Sequence, residues 1–222
     1  MCKTNFILVR HGESLGNAAR MILGHTDMDL SELGYRQAQC TADYLKDVKI
    51  DEIYASDLKR AYNTALTHAK IREMDVKPSE KLREIFCGDW EMKTVAEVRA
   101  EYPGMYDVDW IEGFGTFTFP GGEGTMAAGK RFYKEIERIA KENYGKTVLV
   151  GAHAAVIRAF WSIMTKIEPK NIADELPFPT NASYSLFSYE NGEFVPESYS
   201  CDSHLAEVGI TGKTGITDKK TR

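Results

Sequence analysis

The sequence predicts an α/β fold: a three-layer sandwich with a mainly parallel central sheet, helices on both faces and a small cap inserted over one edge. Three observations carry this. Short continuous apolar runs alternate with longer segments of helical periodicity, the order produced when helices cross between parallel strands. The two clearest runs, 6–9 and 147–150, each lead within three residues to a histidine. A glycine- and aromatic-rich stretch, 86–120, then interrupts the alternation, as an inserted cap would.

The elements follow in order. Residues 6–9 read as a strand buried on both faces. Ser31 is placed to cap a helix whose apolar positions are Ala38, Ala42 and Leu45. A second strand is expected over 50–55, and Ser56 is placed to cap the next helix, with Leu58, Ala61, Ala65 and Ala69 on its face. An extended piece over 77–82 precedes the cap. Pro120-Gly121-Gly122 opens a long amphipathic helix running to about Tyr144. The strand at 147–150 is followed by a helix over 155–166, and 184–189 with 192–199 make a hairpin. Residues 1–205 form one domain on this reading. From 206 to 222 the chain turns Gly/Thr/Lys-rich, the composition of a flexible tail.

Composition narrows the function classes. The 222 residues are 43% hydrophobic and 27% charged, which fits an ordinary globular chain and not a disordered or fibrous one. Net charge is −5, from 28 Lys+Arg against 33 Asp+Glu, so neither nucleic acid nor an anionic membrane surface is an expected partner. The longest apolar stretch, 148–164, is broken by His153 and Arg158 and falls short of the ~20 residues that span a bilayer. Four cysteines without a C-x-x-C pair, and no leader-like start after Met1, lead us to expect a cytoplasmic protein.

Chemistry concentrates at strand ends, where open α/β sheets bind ligands. Arg10-His11-Gly12-Glu13-Ser14 follows the first strand, and Gly12 allows a tight turn there. His153 ends the 147–150 strand, and Arg60 begins the helix after the second. Two histidines converging with two guanidinium forks make an oxyanion pocket in chemical terms.

These segments resemble the histidine phosphatase superfamily, in its branch similar to cofactor-dependent phosphoglycerate mutase. The match rests on Arg10–Ser14 with Asn17; Gly24-His25-Thr26-Asp27; Leu30–Gly34 with Gln37-Ala38; Ser56–Ala61 with Thr64-Ala65; and Leu82-Arg83-Glu84-Ile85. Gly88–Glu91, Pro120–Glu123 with Arg131, and His153 continue it in the family's order, over about 6–205. The resemblance implies that His11 attacks phosphorus and becomes phosphohistidine. It implies that Arg10, Arg60 and His153 hold the phosphoryl oxygens, and that Glu84 protonates the leaving oxygen and then activates water. Asn17, the backbone near Gly24 and the amide of Ala154 would bind substrate. No metal and no cofactor are implied. The partner is a small phosphomonoester, and a homodimer is the default for a soluble oligomer.

The chain departs from the family pattern at Ala154 (usually glycine), Gly124 (usually serine) and Leu23 (a hydroxyl residue in mutases). True mutases carry a tryptophan-arginine-arginine segment in the cap that clamps the substrate carboxylate; here Asp109-Trp110-Ile111-Glu112-Gly113-Phe114 has no arginine. Hydrolysis is therefore favoured, with phosphoglycerate mutase as the alternative and a non-catalytic phospho-ligand module third. The module reading predicts loss of His11 or Glu84, and both are present. His25, His68 and His204 are expected as solvated or capping residues, Cys87 as a small core thiol, and the cap aromatics equally as substrate wall or as the cap's own core.

Overall fold

The computed structural model describes residues 3–212. In chain order its elements are β1 (Thr4–Arg10), α1 (Leu15–Ala18), α2 (Glu32–Tyr44), β2 (Glu52–Ala55), α3 (Lys59–Lys70) and β3 (Val76–Pro78). Then come α4 (Val95–Glu101), α5 (Thr125–Glu142), β4 (Thr147–Ala152), α6 (Ala154–Met164), α7 (Ile172–Glu175), β5 (Tyr184–Glu190) and β6 (Glu193–Cys201).

The strands form one six-stranded sheet in the order β3-β2-β4-β1-β5-β6. β1, β2, β3 and β4 run parallel, and the β5–β6 hairpin adds antiparallel to β1. The expected mainly parallel, helix-covered sheet is therefore what forms. Strand alternation divides the core between the two faces. Phe6, Leu8, Val148 and Val150 point toward α5 and α6, where they meet Phe132, Ile136 and Phe160. Ile7, Val9, Ile53 and Leu149 point the other way, onto Ala65, Ala69 and Leu45 below α2 and α3.

Helix starts show where local sequence decides and where it does not. Ser31 caps α2 by accepting the Gly34 amide at 3.0 Å. Ser56 does not reach α3: its hydroxyl takes the Leu58 amide at 3.3 Å, whereas the first helical amide, that of Lys59, donates to Asp27 Oδ1 at 2.8 Å. A carboxylate from a distant loop thus replaces the expected local cap. At α5 the N-cap is Gly124, with no side-chain cap, which is the structural consequence of the missing serine.

The stretch 86–120 folds as α4, a wide turn of π-type hydrogen bonding at Met105–Glu112 and short 3₁₀ turns. Trp90, Phe114, Phe117 and Phe119 are buried as an extension of the main core on that face, whereas Tyr106 and Trp110 are half-buried at its edge. Residues 206–212, expected as the start of a tail, are tied down: the Asn181 amide donates to the Thr211 carbonyl at 3.0 Å, and Gln37 Nε2 donates to the Gly209 carbonyl at 2.8 Å. Residues 213–222 lie outside the described part of the chain.

His68, expected as a solvated residue, is instead fully buried on α3 with neither ring nitrogen hydrogen-bonded. Burial first, then Arg72 and His204, push its pKa down to about 3. The folded chain keeps this ring neutral while the unfolded chain protonates it near pH ~6.5. Stability must therefore fall as pH drops below ~6.5, by up to ~1.4 kcal/mol per pH unit, until pH about 3 is approached. We expect His68→Leu, which removes two unpartnered polar atoms from an apolar site, to fold and to flatten this acid branch by about one proton's worth. Urea unfolding at pH 7.5, 6 and 5 measures it; an unchanged slope would mean that His68 is charged inside the fold.

Candidate active site

Arg10 ends β1 opposite Ala152 at the end of β4, and the next residues on the two strands are the histidines. The His11 amide donates to the Ala152 carbonyl at 2.9 Å, so the ladder extends one step beyond the sheet. It brings the His11 and His153 rings edge to face, 5.2 Å between centroids. β2 lies on the other side of β4 and delivers Arg60 from the first turn of α3, 2% exposed. The loop after His11 must pass close to α2: a Cβ on Gly12 would stand 2.3 Å from the Gly34 carbonyl oxygen, which requires glycine. Its amide donates to Thr64 Oγ1 at 3.1 Å on α3. Three parallel strand ends thus fix the geometry through backbone contacts.

His11 Nδ1 lies 2.6 Å from the Gly12 carbonyl oxygen. A carbonyl only accepts, so Nδ1 carries the hydrogen and Nε2 keeps its lone pair. Burial, then Arg60 and Arg10, hold the His11 pKa well below its ordinary value. The fully buried His153 is likewise held neutral, by burial first and then Arg60 and His11; neither of its nitrogens has a hydrogen-bond partner.

The two arginines are buried with no ion pair among the described residues. Arg60 donates from Nη1 to the Thr26 carbonyl at 2.8 Å and from Nη2 to the Gly24 carbonyl at 2.7 Å. Arg10 donates from Nη1 to the Pro179 carbonyl, and its buried Nε has no partner. Burial pushes Arg10 down to about 10 and lowers Arg60 also, a sign that both charges sit where solvent does not compensate them. An oxyanion would supply that compensation.

Glu84 faces them from the strand-like segment before the cap. Its Oε1 accepts the amides of Ile85 at 2.9 Å and Val156 at 2.8 Å, and its Oε2 accepts the Ala155 amide at 3.0 Å. The last two are free amides of the first turn of α6, where a carboxylate also meets the positive end of the helix dipole. Its carbonyl receives Arg131 Nη2 at 3.0 Å and His25 Nε2 at 2.8 Å. Arg131, on α5, also donates to the carbonyls of Lys81 and Arg83 and pairs through both arms with Glu123. One guanidinium therefore holds the backbone that presents Glu84. His25, expected as solvated or capping, does the same from the other side.

These groups line a cleft of about 160 Å³, small beside the ~300 Å³ at which pockets for drug-sized ligands begin. Arg10, His11, Asn17, Gly24, Arg60, Glu84 and Ala154, the residues singled out in the sequence, all line it; His153 lies behind His11. Gly24 has φ +51° and its Cβ would stand 2.1 Å from Glu91 Oε1, so glycine is required there too. Asn17 Oδ1 accepts the Ser14 amide at 3.2 Å and Asn181 Nδ2 at 3.3 Å. Cys87 lines the cleft as well, although it is only 5% exposed.

Sequence reasoning missed Asn181, whose Nδ2 donates to the His11 carbonyl at 3.1 Å and whose Oδ1 accepts Thr211 Oγ1 at 3.2 Å. Its only sequence signal is a Pro-Thr-Asn turn cluster. Arg158, close to His153 in sequence, points elsewhere: its guanidinium carbon sits 4.5 and 4.2 Å from the Phe114 and Phe178 ring centres, and it donates to the carbonyls of Leu176 and Ile172.

Among the described residues no group of His, Cys, Asp and Glu is arranged to hold a metal ion, and no helix is long and apolar enough to cross a membrane.

Comparison with known proteins agrees with this geometry. Residues 6–202 match the model of the histidine phosphatase superfamily, branch 1. Phosphoserine phosphatase 1 of Hydrogenobacter thermophilus is 33% identical, over 95% of this chain and 98% of that one. A metal-independent phosphoserine phosphatase of Arabidopsis thaliana is 34% identical over 93% and 85%. Among solved structures, Bacillus stearothermophilus YhfR superposes with a TM-score of 0.85 at 28% identity, covering 91% of this chain and 99% of that one. With these residues at these strand ends, and a family match from the first strand to the last, the chain belongs to the histidine phosphatase superfamily, branch 1.

Proposed function

We propose that the chain is a metal-independent phosphomonoesterase that works through a phosphohistidine on His11. The observation that carries the reading is the Nδ1–Gly12 hydrogen bond beside two unpaired guanidiniums. It leaves a neutral Nε2 lone pair inside fixed positive charge, the arrangement an in-line attack on a phosphoryl group needs.

In the first step Nε2 attacks phosphorus, the P–O ester bond breaks, and Glu84, carrying a proton, gives it to the departing oxygen. In the second, Glu84 takes a proton from water as the water oxygen attacks phosphorus, the P–N bond breaks and inorganic phosphate leaves. Arg10 and Arg60 hold the equatorial oxygens through both steps, with Asn17, the Gly24 backbone and the Ala154 amide at the rim; His153, buried behind His11 with both ring nitrogens unpartnered, joins them once its ring turns to the cleft. Since Glu84 starts hydrogen-bonded to the α6 amides, a carboxyl oxygen must turn from them to serve either step.

The named relatives support hydrolysis of a small phosphorylated metabolite. Free Cys40, Cys87 and Cys201 support a reducing, cytoplasmic setting. The mutase alternative, represented among relatives by phosphoglycerate mutase-like protein 4 of Arabidopsis thaliana, is disfavoured by the cap, which lines the cleft with no cation.

Two outcomes are expected. Phosphate release should persist in EDTA, with acid-labile, alkali-stable protein phosphate trapped after brief mixing, and His11→Ala should lower turnover by ~10³-fold or more. Isomerised phosphoglycerate without phosphate release would make the enzyme a mutase. Arg131→Ala should lower kcat by roughly 10- to 100-fold with little change in KM, because it misplaces Glu84 without touching substrate. A raised KM with unchanged kcat would mean that Arg131 binds substrate directly.

A further inference from the structure

The phosphoryl end of the cleft uses all its charge. Among the described residues, Arg10, His11, Arg60 and Glu84 are the only charged or titrating side chains on its lining apart from the buried Cys87 thiol and the Tyr106 phenol, and each has a task at phosphorus or at the ester oxygen. Beyond Glu84 the walls are Ile22, Leu23, Tyr106, Trp110, Ile111 and Phe178. We propose, resting on the phosphatase reading above, that this cleft selects phosphomonoesters whose alcohol half is an uncharged aromatic or branched apolar group. Amino-acid, hydroxy-acid and choline phosphates are discriminated against.

The wall is built and fixed. Trp110 packs on Phe114, Phe117, Phe119 and Phe178 with ring centres 4.8 to 5.7 Å apart, so it presents a preformed flat surface. The Met105–Glu112 turn sorts its residues by side. Tyr106, Trp110 and Ile111 line the cleft, whereas Asp109 and Glu112 are exposed. A carboxylate on the alcohol half would meet no cation among the described residues of the wall. An ammonium would lose its hydration against a wall with no carboxylate beyond Glu84. Arg158 does not change this. Its Nε and Nη2 donate to backbone carbonyls and its plane is held by Phe114 and Phe178; Nη1 has no partner, but the group is buried and does not line the cleft. An aromatic alcohol half needs none of these groups and gains by leaving water.

The test compares esters of primary alcohols, so that leaving-group chemistry stays nearly constant: 2-phenylethyl phosphate against O-phosphoserine, 3-phosphoglycerate and phosphocholine. The expected kcat/KM for the phenylethyl ester is at least about tenfold above each charged ester. Trp110→Ala should lower the ratio of kcat/KM for the phenylethyl ester to that for phosphoserine by about tenfold. Ile111→Arg, which adds a carboxylate-binding fork to the wall, should raise kcat/KM for 3-phosphoglycerate and leave phosphoserine no better than the phenylethyl ester. A charged ester preferred by the wild type, or Trp110→Ala lowering all esters alike, would overturn the proposal while His11-dependent phosphate release left the phosphatase reading standing. No release from any ester, p-nitrophenyl phosphate included, would overturn both.

Discussion

Two guanidinium groups buried without carboxylate partners are the constraint that organises this protein. Taking a cation out of water costs several kcal/mol even after relaxation, and Arg10 and Arg60 are 6% and 2% exposed. The structure offsets part of that cost with backbone carbonyls brought from far along the chain: Gly24 and Thr26 for Arg60, Pro179 and Gly212 for Arg10. The tight loop at Gly24, its buttress Glu91, and the strap at 206–212 all lie where they must to deliver those carbonyls. What remains uncompensated is positive field aimed at the ring of His11. That field adds to burial, the larger cause, in holding the imidazole neutral.

The same economy explains the division of the cleft. Charge is confined to the sheet edge, where rigid parallel strands hold it in register. The far wall comes from the 86–120 stretch, whose aromatics gather around Trp90, against Tyr102, Tyr106, Phe117 and Phe119, as an extension of the main core. The charged end of the cleft and its apolar wall thus sit on different elements. Glu84 lies at their junction, presented by a backbone that Arg131 and His25 clamp from either side.

Much of this was legible in the sequence because it is local or periodic. Apolar runs ending in His11 and His153 place both rings at one sheet edge, and a helix start places Arg60 beside them. Glu84 was legible only through family resemblance, since nothing in its surroundings announces that α6 amides will receive it. Contacts between distant loops stayed hidden. Asn181 reaches the His11 carbonyl across 170 positions and Asp27 caps α3 across 32, and no periodicity encodes either. Residues 206–212 read as tail because their composition is that of a loop, yet their backbone carbonyls are what Asn181 and Gln37 require. His68 misled for the opposite reason: a polar residue was assumed to seek water, whereas its neutral ring fills an apolar space under α3.

Burial and two guanidiniums hold His11 as a neutral imidazole with its hydrogen on Nδ1. ¹⁵N-edited NMR of the histidine rings, followed from pH 7.5 to 5, tests it directly. His11 should keep a protonated Nδ1 and an unprotonated Nε2 throughout, while an ordinary exposed histidine titrates near pH ~6.5. An imidazolium at His11 above pH 6, or a hydrogen on Nε2, would contradict it.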